Sequence, residues 1–188
     1  MPPSEEGPGP IFLDTNVVQA LATFGSYIYD RSLTDELRRK MVSHGSRYTA
    51  DIEALAKLIP VLQRMSWPLV VSPVTLLEHR EYLRLDWDIA LFDYFVSSAT
   101  AAQLRLLNAG TTPDQVPLPL EGQVPTELDF LPDANDRALI DDALSFDCKW
   151  FLTLDYRSIW RFRDRLAHFG IKVVTPSEAV AIFVATSG

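Results

Sequence analysis

The sequence is poor in the residues that build redox and zinc chemistry, with one cysteine and three histidines in 188 residues. A lone Cys148 excludes an intrachain disulfide and leaves a cysteine zinc site without ligands. Its setting, Phe146-Asp147-Cys148-Lys149-Trp150, offers no histidine to make a thiolate nucleophile, so it reads as an inert buried thiol. His44, His79 and His168 are scattered and no zinc-binding pair joins any two of them, which argues against a zinc hydrolase. No apolar run reaches the roughly 18 residues of a membrane-spanning helix. Met1 to Pro10 is rich in Pro, Gly and Glu, with neither a basic start nor an apolar centre. That stretch reads as a disordered leader rather than a secretion signal, and the expected location is cytoplasmic. Positive charge is also short: the formal net charge is -8, against a protein that holds nucleic acid by overall basicity. A local attack on nucleic acid survives that argument, since acids gathered around a divalent cation would add to the negative balance.

The length suits one domain with a sizeable core and an elaboration. The chain is organised around Ile11-Phe12-Leu13-Asp14-Thr15-Asn16, a short apolar run closed by a carboxylate. A helix-like segment follows from Val17 to Phe24, with Gly25 as its expected stop. Asp14 then stands at the carboxyl end of a buried strand, where open α/β sheets place ligands, or it caps the helix behind it. No glycine-rich turn occupies this corner, which excludes a dinucleotide-binding or P-loop enzyme.

From Tyr27 to Arg47, the residues Arg31, Arg38, Arg39, Lys40 and Arg47 outnumber Asp35 and Glu36, giving a basic stretch inside an acidic protein. A solvated helix face explains it, and contact with a polyanion or a partner is the other reading. Asp51 to Met65 places Ile52, Leu55, Leu58, Ile59 and Leu62 at helical spacing, and Leu69 to Val71 is a brief strand. Ser72-Pro73 opens a further helix that carries Glu78. Leu85 to Leu107 reads as aromatic-rich packing helix, and Asn108 to Leu131, with four prolines, as a long surface connection. Asp136 opens an amphipathic helix with Leu139, Ile140, Ala143 and Leu144 inward, while Asp141 and Asp142 face solvent. Trp150 to Leu154 is a strand ending on Asp155. Ile159, Phe162 and Leu166 share a helix face that stops at Gly170, Ile171 to Val174 is a strand, and Thr175-Pro176-Ser177-Glu178 starts the last helix, through Phe183. Helices alternating with short buried strands predict an α/β fold with a mainly parallel sheet.

Asp14 and Asp155 thus occupy the same role at two strand ends, while Asp136 and Glu78 arrive from helices. Strand ends of one polarity share one edge of a parallel sheet, so these acids can converge although far apart in sequence. Magnesium or manganese relieves the repulsion of four unpaired carboxylates and supports phosphodiester hydrolysis.

Phe12-Leu13-Asp14-Thr15-Asn16, Thr75-Leu76-Leu77-Glu78, Asp133-Ala134-Asn135-Asp136-Arg137-Ala138-Leu139-Ile140 and Leu152-Thr153-Leu154-Asp155 together resemble the PIN-domain family of metal-dependent ribonucleases. The resemblance implies a PIN-like three-layer α/β/α sandwich over residues 11–188, with residues 27–65 as a helical basic elaboration. It implies an Mg2+- or Mn2+-dependent endoribonuclease whose acidic pocket is Asp14, Glu78, Asp136 and Asp155, with Asp133 as an alternative third acid and Asn16 and Thr153 as orienting residues. It also implies a homodimer, for which Leu85 to Leu107 would serve, and an antitoxin partner if the chain is the toxin of a toxin-antitoxin pair. The long interval between Asp14 and Glu78 and the proline-rich connection depart from small toxins of the family. Arg157, Arg161 and Arg165 recur every four residues after Asp155, and the first two are expected to meet RNA phosphates or, alternatively, to form a surface stripe paired with acids such as Asp164. Two other readings remain: an aspartyl-phosphate phosphotransferase, for which no positioned lysine is visible, and a PIN-like binding module with little turnover.

Overall fold

The computed structural model describes residues 9–65, 67–72, 75 and 126–183. The expected leader (all but Gly9 and Pro10), Glu78, the helix expected at 85–107 and most of the proline-rich connection lie outside the described residues. Four three-residue strands, β1 (Ile11–Leu13), β2 (Leu69–Val71), β3 (Trp150–Leu152) and β4 (Lys172–Val174), form one sheet in the order β2-β1-β3-β4. All three pairings are parallel, with Leu13 level with Val71 on one side and with Leu152 on the other.

Side chains alternate across these strands, and the two faces build two cores. Ile11, Leu13, Val71, Leu152 and Val174 pack on α1 (Thr15–Asp30), α3 (Ser46–Arg64) and a C-terminal helix at Pro176–Phe183. Phe12, Val70, Phe151 and Val173 pack on the opposite side against Ile140 and Ala143 of α4 (Ala134–Ser145), and against Ile159 and Leu166. Phe12 and Phe151 are fully buried and stack at 5.1 Å between ring centroids. Burying each such ring is worth about 1.5–3 kcal/mol, so neighbouring strands are locked in register by their largest side chains. The protein is therefore α/β, with a parallel sheet covered by helices on both faces. Among the described residues no helix is long and apolar enough to cross a membrane.

Helix α3 follows its sequence pattern closely, since Ile52, Leu55, Leu58, Ile59 and Leu62 are all fully buried. Helix α1 departs from expectation. Gly25 does not stop it: the backbone bends at Phe24 (φ -111°, ψ 15°) and the helix runs on to Asp30, where Arg31 caps it in the left-handed region. Buried Phe24, Gly25 and Ile28 face the core, so packing outweighs the glycine's weak helical preference. The basic stretch is distributed over the end of α1, α2 (Asp35–Ser43) and the start of α3. The end of the proline-rich connection is not surface chain, because Leu128 and Leu131 beside a 3-10 turn (Thr126–Leu128) enter the second core.

The segment after β3 is not one helix either. A 3-10 turn (Ile159–Phe162) leads into α5 (Arg163–Leu166) and a second 3-10 turn (Ala167–Phe169), which ends at Gly170 with φ +82°. Ile159 and Leu166 are still buried, but the change of winding breaks the regular arginine stripe. Arg165 lies over the Phe130 ring at 4.0 Å. The last helix, α6 (Pro176–Phe183), begins as its sequence predicts: the Glu178 carboxylate accepts the Thr175 N–H at 2.9 Å and the Thr175 hydroxyl accepts the Glu178 N–H at 3.4 Å.

Candidate active site

At the carboxyl edge each strand runs into a buried polar residue: Asp14 after β1, Ser72 after β2, Thr153 after β3 and Thr175 after β4. The chain leaves β1 for β2 on one side, whereas β3 and β4 lie on the other, so strand order reverses at β1. Ligands of open parallel sheets bind outside the strand ends at such a reversal.

Asp14 stands there with 3 % of its surface exposed. It holds the N-cap position of α1, yet its side chain makes no capping bond. Its Oδ2 instead accepts the Asn16 Nδ2 at 2.8 Å and the Thr153 hydroxyl at 2.5 Å. Both bonds fall on one oxygen, which leaves Oδ1 without a hydrogen bond to any described residue. Burial raises the Asp14 pKa from 3.8 to about 6; the Thr153 and Asn16 bonds oppose that, and the charges of Asp136 and Asp155 add to it.

Thr153 and Asn16 join the strand ends. The Thr153 hydroxyl also accepts the Asp155 N–H at 2.8 Å, and Asn16 Oδ1 accepts the Leu154 N–H at 2.8 Å. The expected equivalence of Asp14 and Asp155 does not hold. With Leu13 level with Leu152, the residue matching Asp14 is Thr153, and Asp155 lies two positions beyond it in a loop. Its carboxylate turns to that loop: Oδ1 accepts the N–H groups of Arg157 (2.8 Å) and Ser158 (3.0 Å), and Oδ2 the Ser158 hydroxyl (2.7 Å). Burial acts to raise Asp155, but the Ser158 hydroxyl, these two N–H groups and the Arg157 charge outweigh it and hold the carboxyl below its usual range. Ser158 escaped the sequence reading, although Asp-x-x-Ser is a recognisable turn pattern.

The third acid enters from α4. That helix starts at Ala134, two residues before the expected opening at Asp136, and is capped by exposed Asp133, whose Oδ1 accepts the Asn135 N–H at 2.7 Å. Asp133 is thereby committed to capping. Asp136, half-buried in the first turn, is raised above the usual carboxylate range by burial and by the charges of Asp133 and Asp155; a Ser158 hydrogen bond opposes this. Ser158 has one hydroxyl proton, and it is donated to Asp155 at 2.7 Å. Asp14, Asp136 and Asp155 thus lie within electrostatic reach of one another. Even so, among the described residues no three of His, Cys, Asp and Glu are grouped tightly enough to grip a metal ion together.

Other acids differ from expectation. Asp142 does not face solvent: it is half-buried, accepts the Ser72 hydroxyl at 2.6 Å, and is raised by burial, against the Ser72 bond and with the neighbouring charge of Asp141. Asp141 is also partly buried and raised by that burial. Asp51 is 1 % exposed; its Oδ2 accepts the Tyr156 hydroxyl at 2.5 Å and its Oδ1 the Ser177 N–H at 2.8 Å. The sequence does carry a signal for it, since Asp51 falls in step with Leu55, Leu58 and Leu62 on the buried stripe of α3. Cys148 is buried and burial pushes its thiol up to about 12, with Asp147 adding and Lys149 opposing, so it is inert as expected. Compared with protein-family models, with curated proteins and with solved structures, the chain matches none.

Proposed function

We propose that the chain is a divalent-metal-dependent endoribonuclease of PIN-like design, hydrolysing RNA phosphodiesters at the carboxyl edge of its sheet. One observation carries the reading: Asp14, buried and with Oδ1 free of hydrogen bonds to the described residues, shares its electrostatic surroundings with Asp136 and Asp155 at the point where strand order reverses. A set of carboxylate oxygens suits magnesium or manganese, and magnesium keeps several waters and needs one or two direct carboxylates rather than a full protein cage. Asp14 Oδ1 and Asp136 would hold the ion, and Asp155 and Glu78 are further candidate ligands. Such an ion supplies Lewis acidity toward a phosphate oxygen.

The chain's own residues do the remaining work. Asn16 and Thr153 hold Asp14 Oδ2, so that Oδ1 is the oxygen presented. Exposed Arg157 and Arg161 follow Asp155 in sequence, and among the described residues neither is in an ion pair, which supports phosphate contact over a neutralised stripe. A PIN-like binding module with little turnover is the second reading, favoured by the way the Asp155 carboxylate is taken up by its own loop. An antitoxin and a second copy of the chain are proposed partners.

Cleavage of end-labelled single-stranded RNA with magnesium or manganese separates the two. We expect cleavage by the parent chain, none in EDTA, none in Asp14→Asn, and a loss of about 10- to 100-fold in Asn16→Ala. Cleavage by Asp14→Asn at the parent rate rules out the hydrolase reading, and RNA binding without any cleavage selects the module.

A further inference from the structure

One member of the basic stretch reaches the candidate site. Arg47, exposed in the first turn of α3, places its guanidinium over the Tyr156 ring at 3.9 Å and over the Trp160 ring at 4.5 Å. Both rings are held at their polar ends: the Tyr156 hydroxyl donates to buried Asp51 and the Trp160 Nε1–H donates to Glu178 Oε2 at 3.2 Å. Both also belong to the Asp155 loop, since Tyr156 follows Asp155 directly and the Trp160 N–H donates to the Asp155 carbonyl at 3.2 Å. The result is a rigid aromatic platform, covered by a cation and tied to an acid of the site.

Two guanidinium groups touch this platform and differ in their commitments. Arg163 covers Trp160 at 4.1 Å but is paired to Glu178 at 2.9 Å. Arg47 has no ion pair among the described residues, and Asp51, one turn along the same helix, is turned inward to Tyr156 and Ser177. A guanidinium stacked on a ring keeps its N–H edge for bidentate contact with phosphate. Cationic and aromatic groups side by side are the chemistry of single-strand recognition, with charge tracking the backbone and rings accepting bases. In a chain of net charge -8, such a spot directs a polyanion to one place.

We infer that Arg47, stacked on Tyr156 and Trp160, is a docking site for the phosphate backbone of a single-stranded RNA running past the Asp155 loop. The inference rests on the ribonuclease reading and names where its substrate lies outside the acids. Arg47 then grips one phosphate while the two rings hold its guanidinium in place.

The test is fluorescence anisotropy of a labelled single-stranded oligoribonucleotide in EDTA over a salt series, with the oligonucleotide checked for integrity afterwards. Arg47→Ala should weaken binding roughly 5- to 10-fold and reduce the slope of log K against log salt by about 0.7. Arg47→Lys, which keeps the charge and loses the planar fork, should keep the slope and fall between the two in affinity. Thermal melting of each variant, expected to match the parent because Arg47 is exposed, separates lost contact from lost folding. Parent-like affinity and slope in Arg47→Ala, or no RNA binding by the parent chain, overturns the inference. Unchanged affinity in Arg47→Ala beside lost cleavage in Asp14→Asn removes the docking site alone. Weakened affinity beside intact cleavage in Asp14→Asn removes the hydrolase and keeps the docking site.

Discussion

Asp14 and Asp155 sit at one end of the same sheet, and their surroundings push them in opposite directions. Asp14 follows β1 without a break, so it is buried at the ends of neighbouring strands and receives two hydrogen bonds from the described residues, both on Oδ2. Asp155 has two more residues of loop before it, enough for its carboxylate to gather donors from Arg157 and Ser158. The first carboxyl is raised to about 6 and the second is lowered, although the two are near enough to feel each other. Donors per oxygen and access to water, rather than mutual repulsion, decide which acid keeps its proton. Two carboxyls whose environments push their proton affinities apart are suited to different roles.

The widest test of this contrast is the pH dependence of stability. A folded-state pKa raised from 3.8 to about 6 means that, between those values, the folded protein keeps a proton that the unfolded chain has released. Stability therefore falls as pH rises through that window, by about 3 kcal/mol for this one group. Asp14→Asn removes the term, so the variant should be up to about 3 kcal/mol more stable than the parent at pH 7 and should lose that advantage near pH 4. Urea denaturation of both proteins across pH reads the difference, and an Asp14→Asn variant less stable than the parent at pH 7 would break the contrast.

A smaller effect comes from metal. If an ion relieves Asp14, magnesium or manganese at about ten times its dissociation constant should stabilise the parent by roughly 1.4 kcal/mol, or about 4 °C in Tm. Asp14→Asn should show no shift. Equal shifts in the two proteins would place the ion elsewhere. Smallest is the change at the loop: Asp155→Ala should cost about 1 kcal/mol and Ser158→Ala about half of that by denaturation, since their bonds lie where water can replace them. Asp155 has a lowered pKa, so its contribution is present above the unfolded value and lost as pH falls through the folded one, the reverse of Asp14. A cost for Asp155→Ala as large as the Asp14 effect would mean that the loop is no looser than the strand end.

Much of the fold is legible in the chain. The buried stripe of α3, the capping box of α6 and all four strands follow from local periodicity and turn chemistry. The errors share a cause. Gly25 inside α1, the mixed winding after Ser158 and the inward turn of Asp142 were each set by contacts with residues distant in sequence. Asp14, Asp136 and Asp155 could be picked out as acids at element ends, and Ser158 as the close of an Asp-x-x-Ser turn, whereas Asp51 owes its role to Tyr156, a partner 105 residues away that becomes a neighbour only when the chain folds.

Residue order alone determined where the four described strands and the buried stripe of α3 run and that Asp14 follows β1, because hydrophobic period and backbone preference act over a few residues. Only the tertiary structure decided that Asp14 is sealed while Asp155 is solvated by its own loop, and that Arg47 from α3 rests on Tyr156. The physical reason is that desolvation and charge coupling depend on what lies within a few ångströms in space, and for Asp14 and Tyr156 those neighbours, Thr153 and Asp51, are 139 and 105 residues away in sequence.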